Sequence, residues 1–218
     1  MDIQLIILDF DGTLGDSQHL IVSTMLAVID ELHLDKRTPE QCAAMIGLPL
    51  KETFTRLIPM TDAMGDRCAE TYGRIFHERN VPGAVKPFPH VLETLAALHA
   101  KGITLTIASS RHRQSLLRFV DEMGLSETIR FVLGANDVTD HKPAPEAVLR
   151  TLEHFKVAPD NALVVGDAPY DILMGNAAGT RTCAVTYGNG TRAELEAARP
   201  DFVIDDFAQL LDLVKQGD

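Results

Sequence analysis

Four aliphatic residues, Leu5-Ile6-Ile7-Leu8, run directly into Asp9, and a second carboxylate, Asp11, follows two positions later. In an extended chain, residues at i and i+2 point to the same side, so continuing the strand would put both carboxylates on one side. Gly12 then lets the backbone turn sharply and come close to a ligand. Two like charges at the end of a buried strand are costly unless a cation lies between them or one of them holds a proton. Taken alone, the segment also fits a plain Asx-rich turn that ends a strand.

Further polar groups follow other apolar runs. Ile107-Ala108 leads into Ser109-Ser110, offering hydroxyls and free backbone N–H groups ahead of a helix. Leu163-Val164-Val165 leads into Gly166-Asp167, with Pro169 suited to the first helical position and Asp171 in the first turn. Lys142 stands between His141 and Pro143. Singly, Ser109 and Asp167 fit helix caps and Lys142 fits a solvated loop charge. Together they predict carboxylates, a hydroxyl and an ammonium gathered at the C-terminal edge of one sheet, where open α/β folds bind ligands.

The elements that must position these groups follow from the apolar pattern. Leu5 to Leu8, Ile103 to Ala108, Phe131 to Leu133, Leu163 to Val165, Cys183 to Val185 and Phe202 to Ile204 lack polar alternation, as strands covered on both faces do. Helical patterns at Val91 to His99, Gln114 to Met123, Glu146 to Phe155 and Ile172 to Ala178 separate most of them, and Gly102, Gly124 and Gly179 follow three as C-terminal caps. The fold class is therefore α/β, a doubly wound, Rossmann-like parallel sheet. Between the first strand and Pro87 the pattern is helical only. Ile21, Met25, Val28 and Leu32 share a face, Thr38-Pro39-Glu40-Gln41 forms a capping box, Pro49, Pro59 and Gly65 punctuate, and Cys68 to Arg79 reads as a further helix. That predicts a helical insertion at 15–87, about 70 residues long, in a core made of 1–14 and 88–218. A thickened helical layer without a hinge is the alternative.

Among 218 residues, 20 are Lys or Arg and 31 are Asp or Glu, a net charge of −11 that disfavours nucleic acid and acidic membranes as partners. The same charge repels phosphorylated molecules at long range, so a phosphate site needs a local positive potential. Cys42, Cys68 and Cys183 are widely spaced, without a CxxC pair, and read as small buried side chains in a reducing compartment. No apolar run approaches the ~20 residues of a membrane span, and no secretory signal is recognisable at Met1-Asp2-Ile3-Gln4. A cytoplasmic protein, monomeric or homodimeric, is expected.

In its first motif, Asp9-Phe10-Asp11-Gly12-Thr13-Leu14 with Asp16-Ser17, and in Ser109, Lys142-Pro143 and Gly166-Asp167 with Asp171, the chain resembles phosphatases of the haloacid dehalogenase superfamily. The resembling group carries a helical cap inserted after the first strand, and the resemblance spans essentially the whole chain. It implies Asp9 as a covalent nucleophile and Asp11 as acid and base toward the leaving oxygen and the hydrolytic water. It implies Mg²⁺ held by Asp9, the backbone carbonyl of Asp11 and Asp167, with Asp171 behind them or bound through water. Ser109 and Lys142 would hold the phosphoryl oxygens, with Gly12 and Ser110 beside them; Gly47 and Lys51 are the candidate substrate contacts from the cap, although Lys51, like Arg56, fits a solvated helix charge better. Met45-Ile46-Gly47-Leu48-Pro49-Leu50, Thr186-Tyr187-Gly188-Asn189-Gly190-Thr191 and Arg199-Pro200-Asp201-Phe202-Val203-Ile204-Asp205 resemble the phosphoglycolate phosphatase branch, implying a small phosphorylated metabolite such as 2-phosphoglycolate. The bacterial pyrophosphatase branch shares much of this pattern. A β-phosphoglucomutase-like sugar-phosphate mutase is a further alternative, although the arginine of its cap loop is missing here. A phospho-receiver or binding module is the non-enzymatic one. Against the commoner pattern, His90 stands for Gly, Ser109-Ser110-Arg111 for Thr-Asn-Lys, His141 for Gly, and Ala168 for Ser or Thr.

Overall fold

The computed structural model describes residues 2–214. Strand β1 (Leu5–Leu8) is followed by β2 (Gly15–Asp16), then by helices α1 (Gln18–Glu31), α2 (Pro39–Ala43), α3 (Leu50–Leu57) and α4 (Asp62–Arg79). The chain continues through β3 (Lys86–Pro87), α5 (Val91–Ala100), β4 (Thr104–Ala108), α6 (Arg113–Glu122), β5 (Ile129–Leu133) and α7 (Glu146–Phe155). It finishes with β6 (Ala162–Gly166), α8 (Pro169–Ala177), β7 (Arg181–Val185), α9 (Arg192–Ala197), β8 (Phe202–Ile204) and α10 (Leu210–Leu213).

Six strands form one parallel sheet in the order β5-β4-β1-β6-β7-β8. β1 lies between β4 and β6, with Leu8 level with Ile107 on one side and Val165 on the other. The winding therefore reverses at β1, and the crevice beyond its C-terminal end is the place where this topology binds ligands. Every residue of β1 is buried because both faces are covered. Ile6 and Leu8 pack with Leu95 of α5 and Phe119 of α6, whereas Leu5 and Ile7 pack with Val148 of α7 and Met174 of α8. The doubly wound α/β sheet expected from the sequence is the observed fold.

The stretch between β1 and α5 is helical, with one addition. β2 and β3 pair antiparallel, Gly15 opposite Pro87 and Asp16 opposite Lys86, so the outgoing and returning chains are bonded to each other. Two-residue strands are too short to leave an apolar pattern in the sequence. The Thr38–Gln41 capping box forms. Helix α4 starts six residues before the expected Cys68, capped by the Thr61 hydroxyl on the Met64 N–H. Gly65 does not break that helix. A Cβ there would lie 2.7 Å from Thr55 Cγ2, so glycine permits close packing of α4 on α3. Cys42, Cys68 and Cys183 are free and buried.

His90, at the N-terminus of α5, has φ +63° and ψ 4°, a left-handed conformation that costs a non-glycine residue about 1 kcal/mol. Its Nδ1 lies 2.7 Å from an Asp206 oxygen, but both side chains are about half exposed, so solvent screens the pair and it offsets only part of that cost. Denaturant unfolding should show His90→Gly within ~1 kcal/mol of the parent and His90→Val lower by about 1–2 kcal/mol. Equal losses in both variants would make the Asp206 contact, not the backbone, decisive.

Candidate active site

β1 delivers Asp9 to the crevice, and the chain then turns over itself. The Phe10 carbonyl accepts from the N–H groups of Thr13, Leu14 and Gly15. Gly12 takes φ +90°, and a Cβ there would collide with Asp167 Oδ2, so only glycine lets this turn close against the end of β6.

Lys142 Nζ donates to Asp9 Oδ1 at 2.7 Å and to Asp171 Oδ1 at 2.5 Å, with all three side chains buried. Asp171 is held from its other oxygen, which accepts the Ala168 N–H at 3.0 Å. Asp167 Oδ1 accepts from the Thr13 hydroxyl at 3.1 Å. Its Oδ2 accepts from the Asn189 backbone N–H at 2.7 Å and from Asn189 Nδ2 at 2.8 Å. Asp9, Asp167 and Asp171 each place a carboxylate oxygen within 4.8 Å of the other two.

Three buried carboxylates share one ammonium, which leaves an excess of negative charge in a low-dielectric setting. Burial, opposed by Lys142 and reinforced by Asp171 and Asp11, pushes the Asp9 carboxyl up to about 7. Burial, together with Asp9 and Asp171, pushes Asp167 up to about 8. For Lys142, burial works to lower the value, but the Asp171 and Asp9 carboxylates outweigh it and raise it. A group of hard oxygen donors that would otherwise take up protons near neutral pH fits a divalent cation. The Asp11 carbonyl, 3.4 Å from Asn189 Nδ2, lies beside the same group.

The Asp11 side chain turns elsewhere. Arg111 grips it as a fork, Nε to Oδ2 at 2.8 Å and Nη2 to Oδ1 at 2.5 Å, and the Ser17 hydroxyl adds a 2.5 Å bond to Oδ1. The guanidinium lies 4.7 Å from the Phe76 ring centre, 5.2 Å from Phe119 and 5.9 Å from Phe10. Beside it a cavity of about 480 Å³ reaches from Asp9 and Ser109 to Met25, Ile46 and Phe76 of the inserted segment.

The sequence-derived residues divide accordingly. Asp9, Lys142, Asp167 and Asp171 meet in one cluster, Gly12 shapes it, and Ser109 lines the adjoining cavity with its Oγ accepting the Arg111 N–H at 3.3 Å. Ser110 lines the cavity too, but donates its hydroxyl to the Gly47 carbonyl at 2.7 Å, tying the inserted segment to the sheet edge. Gly47 lines the cavity at φ +105°. Lys51 does not belong to the site. Its ammonium lies 2.7 Å from Asp62 and 3.0 Å from Asp66, carboxylates on α4 that draw it to the surface. Sequence reasoning missed Arg111 and Asn189 as site residues. Glycines at 188 and 190 were the available signal for Asn189, because a Cβ at either would strike Asp167.

A model of the haloacid dehalogenase-like hydrolases matches residues 6–185. The chain belongs to that family. A pyrophosphatase, PpaX, of Anoxybacillus flavithermus is 32% identical over 98% of each chain, and a PpaX of Bacillus cereus is 30% identical over 98% of this chain and 97% of its own. The crystal structure of a haloacid dehalogenase-like hydrolase from Bacteroides fragilis superimposes with a TM-score of 0.90 at 30% identity, over 95% of this chain and 99% of that one. A predicted phosphoglycolate phosphatase from Haemophilus somnus shares the fold, with a TM-score of 0.89 at 23% identity over 99% of both chains. Among the described residues no helix is long and apolar enough to cross a membrane.

The raised carboxyls predict an unusual pH dependence. Without a cation the folded state binds more protons than the unfolded state between about pH 4 and pH 8, so stability falls as pH rises through that window. In chelator, the melting temperature should be lower at about pH 8 than at about pH 5, and a divalent cation should raise it more at the higher pH. Equal cation shifts at both pH values would contradict the charge excess assigned to this cluster.

Proposed function

We propose that this chain is a magnesium-dependent phosphatase that hydrolyses small organic phosphomonoesters, 2-phosphoglycolate among them, through a phosphoryl group carried on Asp9. The observation that carries this reading is the pairing of Asp9 with Lys142 at 2.7 Å inside a buried carboxylate cluster that opens on an organic-sized cavity. Lys142 engages Asp9 Oδ1, which leaves Oδ2 as the attacking oxygen. That oxygen forms a bond to phosphorus as the bond to the leaving alcohol breaks, and water then cleaves the aspartyl-phosphate. Asp9, the Asp11 carbonyl and Asp167 would hold the ion, with Asp171 fixing Lys142 behind them. When bound, Mg²⁺ offsets negative charge on the phosphoryl oxygens and on Asp9. Lys142 and the Ser109 hydroxyl hold the remaining phosphoryl oxygens, and Asn189 keeps Asp167 oriented. Asp11 supplies and recovers the proton at the leaving oxygen, which requires it to leave the Arg111 fork.

The inserted segment, 15–87, acts as the cap. Its Met25, Ile46, Leu48 and Phe76 wall the cavity with apolar surface, which suits an organic leaving group and excludes water from the reacting atoms. Inorganic pyrophosphate is the second reading, favoured by the names of the PpaX relatives. The inserted helices make a phospho-receiver a poorer description, and the 45–50 loop lacks the arginine that a mutase reading calls for.

Purified protein with Mg²⁺ should release phosphate from small phosphomonoesters and lose that activity in chelator. Asp9→Asn should retain the fold and lose turnover by at least about a thousandfold. Metal-dependent release from no phosphate compound, or near-parental rates in Asp9→Asn, would overturn the reading.

A further inference from the structure

We propose that Arg111 is the receptor for a second anionic group on the leaving half of the substrate, and that this group takes the place of Asp11 on the guanidinium. The inference rests on the phosphatase reading and deepens it by naming the class of leaving group.

The guanidinium is built into the cavity wall independently of Asp11. Its side chain is 8% exposed, and it is packed among the rings of Phe10 and Phe119 from the sheet domain and Phe76 from α4. Nη1 is steadied by the Ser115 hydroxyl at 3.3 Å. The edge formed by Nε and Nη2 therefore has a fixed position and the bidentate shape that matches a carboxylate or a phosphate. In this structure the matching group is Asp11 itself.

Among the described residues no other Lys or Arg is placed for that task. Lys142 serves Asp9, Asp171 and, in the proposed reaction, the phosphoryl oxygens. Arg118, which also lines the cavity, pairs with Glu122 at 2.6 Å and is over one-third exposed. Of the two arginines among the described residues lining the cavity, Arg111 is thus the one whose side chain is enclosed. Met25, Ile46 and Phe76 offer no counter-charge, and the other polar groups of the wall, Asn80, His112 and Ser115 among them, lack the fixed and permanently charged fork that Arg111 presents to an anion on the leaving group.

Occupancy of the fork also governs Asp11. Both of its oxygens accept from Arg111, and Oδ1 accepts from Ser17 as well. An incoming anion that occupies Nε and Nη2 replaces one negative charge by another, so the guanidinium stays paired while Asp11 is released toward the leaving oxygen. A neutral leaving group offers no such exchange and must separate a buried ion pair without compensation. Selectivity for anionic leaving groups and the positioning of Asp11 are in this way the same event.

Two near-isosteric esters separate the outcomes: 2-phosphoglycolate and 2-hydroxyethyl phosphate, which differ by a carboxylate against a hydroxymethyl group. With Mg²⁺, the parent protein should show kcat/KM at least ~tenfold higher for phosphoglycolate. Arg111→Gln should bring the ratio close to one, with the phosphoglycolate KM raised, and Arg111→Lys should restore part of the preference. A merely structural role for Arg111 would lower both rates and leave the ratio in place. Equal use of both esters by the parent protein, or an unchanged ratio in Arg111→Gln, overturns the proposal while the phosphatase reading stands. The same holds if other phosphomonoesters are hydrolysed and neither of these is. Release of phosphate from no ester defeats both. If Arg111→Gln fails to fold, Arg111→Lys carries the test: a ratio below that of the parent supports the proposal, and a parental ratio overturns it.

Discussion

Three carboxylates buried around one ammonium are the constraint on which the rest of this structure turns. Isolated charges of this kind are expelled from protein interiors or neutralised. Here each is held by directed bonds: Lys142 to Asp9 and Asp171, the Ala168 N–H to Asp171, and Thr13 and Asn189 to Asp167. These partners come from the turn after β1 (Thr13), the segment between β5 and α7 (Lys142), the junction of β6 and α8 (Ala168) and the loop between β7 and α9 (Asn189), which meet at the edge where the sheet reverses its winding. Negative charge still exceeds positive charge, and burial together with that excess raises the affinity of Asp9 and Asp167 for protons. A cation held there would offset the excess.

The inserted helices are bound to this cluster by few polar contacts but well-placed ones. Ser110 reaches Gly47, Ser17 reaches Asp11, and Phe76 lies on the guanidinium that holds Asp11. The helices therefore touch the group expected to handle the leaving oxygen and leave the nucleophile itself to the sheet. In the proposed function this division would separate the reaction, at the sheet edge, from the choice of leaving group, at the cavity wall.

Much of this was legible in the sequence because the informative signals are local. Apolar runs ending in Asp9, Ser109 and Asp167 located the strand ends within a few residues, since a strand covered on both faces has no polar alternation to confuse it. What stayed hidden depends on distance along the chain. Arg111 meets Asp11 across 100 positions, and nothing local marks a guanidinium that will be enclosed by Phe10, Phe76 and Phe119. For Lys51 the sequence left a cap ligand and a solvated helix charge both open, and the choice could not be made because its partners, Asp62 and Asp66, sit on the part of α4 that Gly65 disguised as a break. The β2–β3 ribbon was invisible because two residues carry no period.

In the proposed function Asp9, and no other carboxylate of the cluster, becomes covalently phosphorylated. The most direct measurement is rapid acid quench of the protein during turnover of a phosphomonoester, followed by borohydride reduction and peptide mass spectrometry. The account predicts an acyl phosphate at position 9, read as conversion of Asp9 to homoserine and absent without substrate. Labelling at Asp167 or Asp171, or steady turnover with no trapped acyl phosphate at any time point, would contradict it.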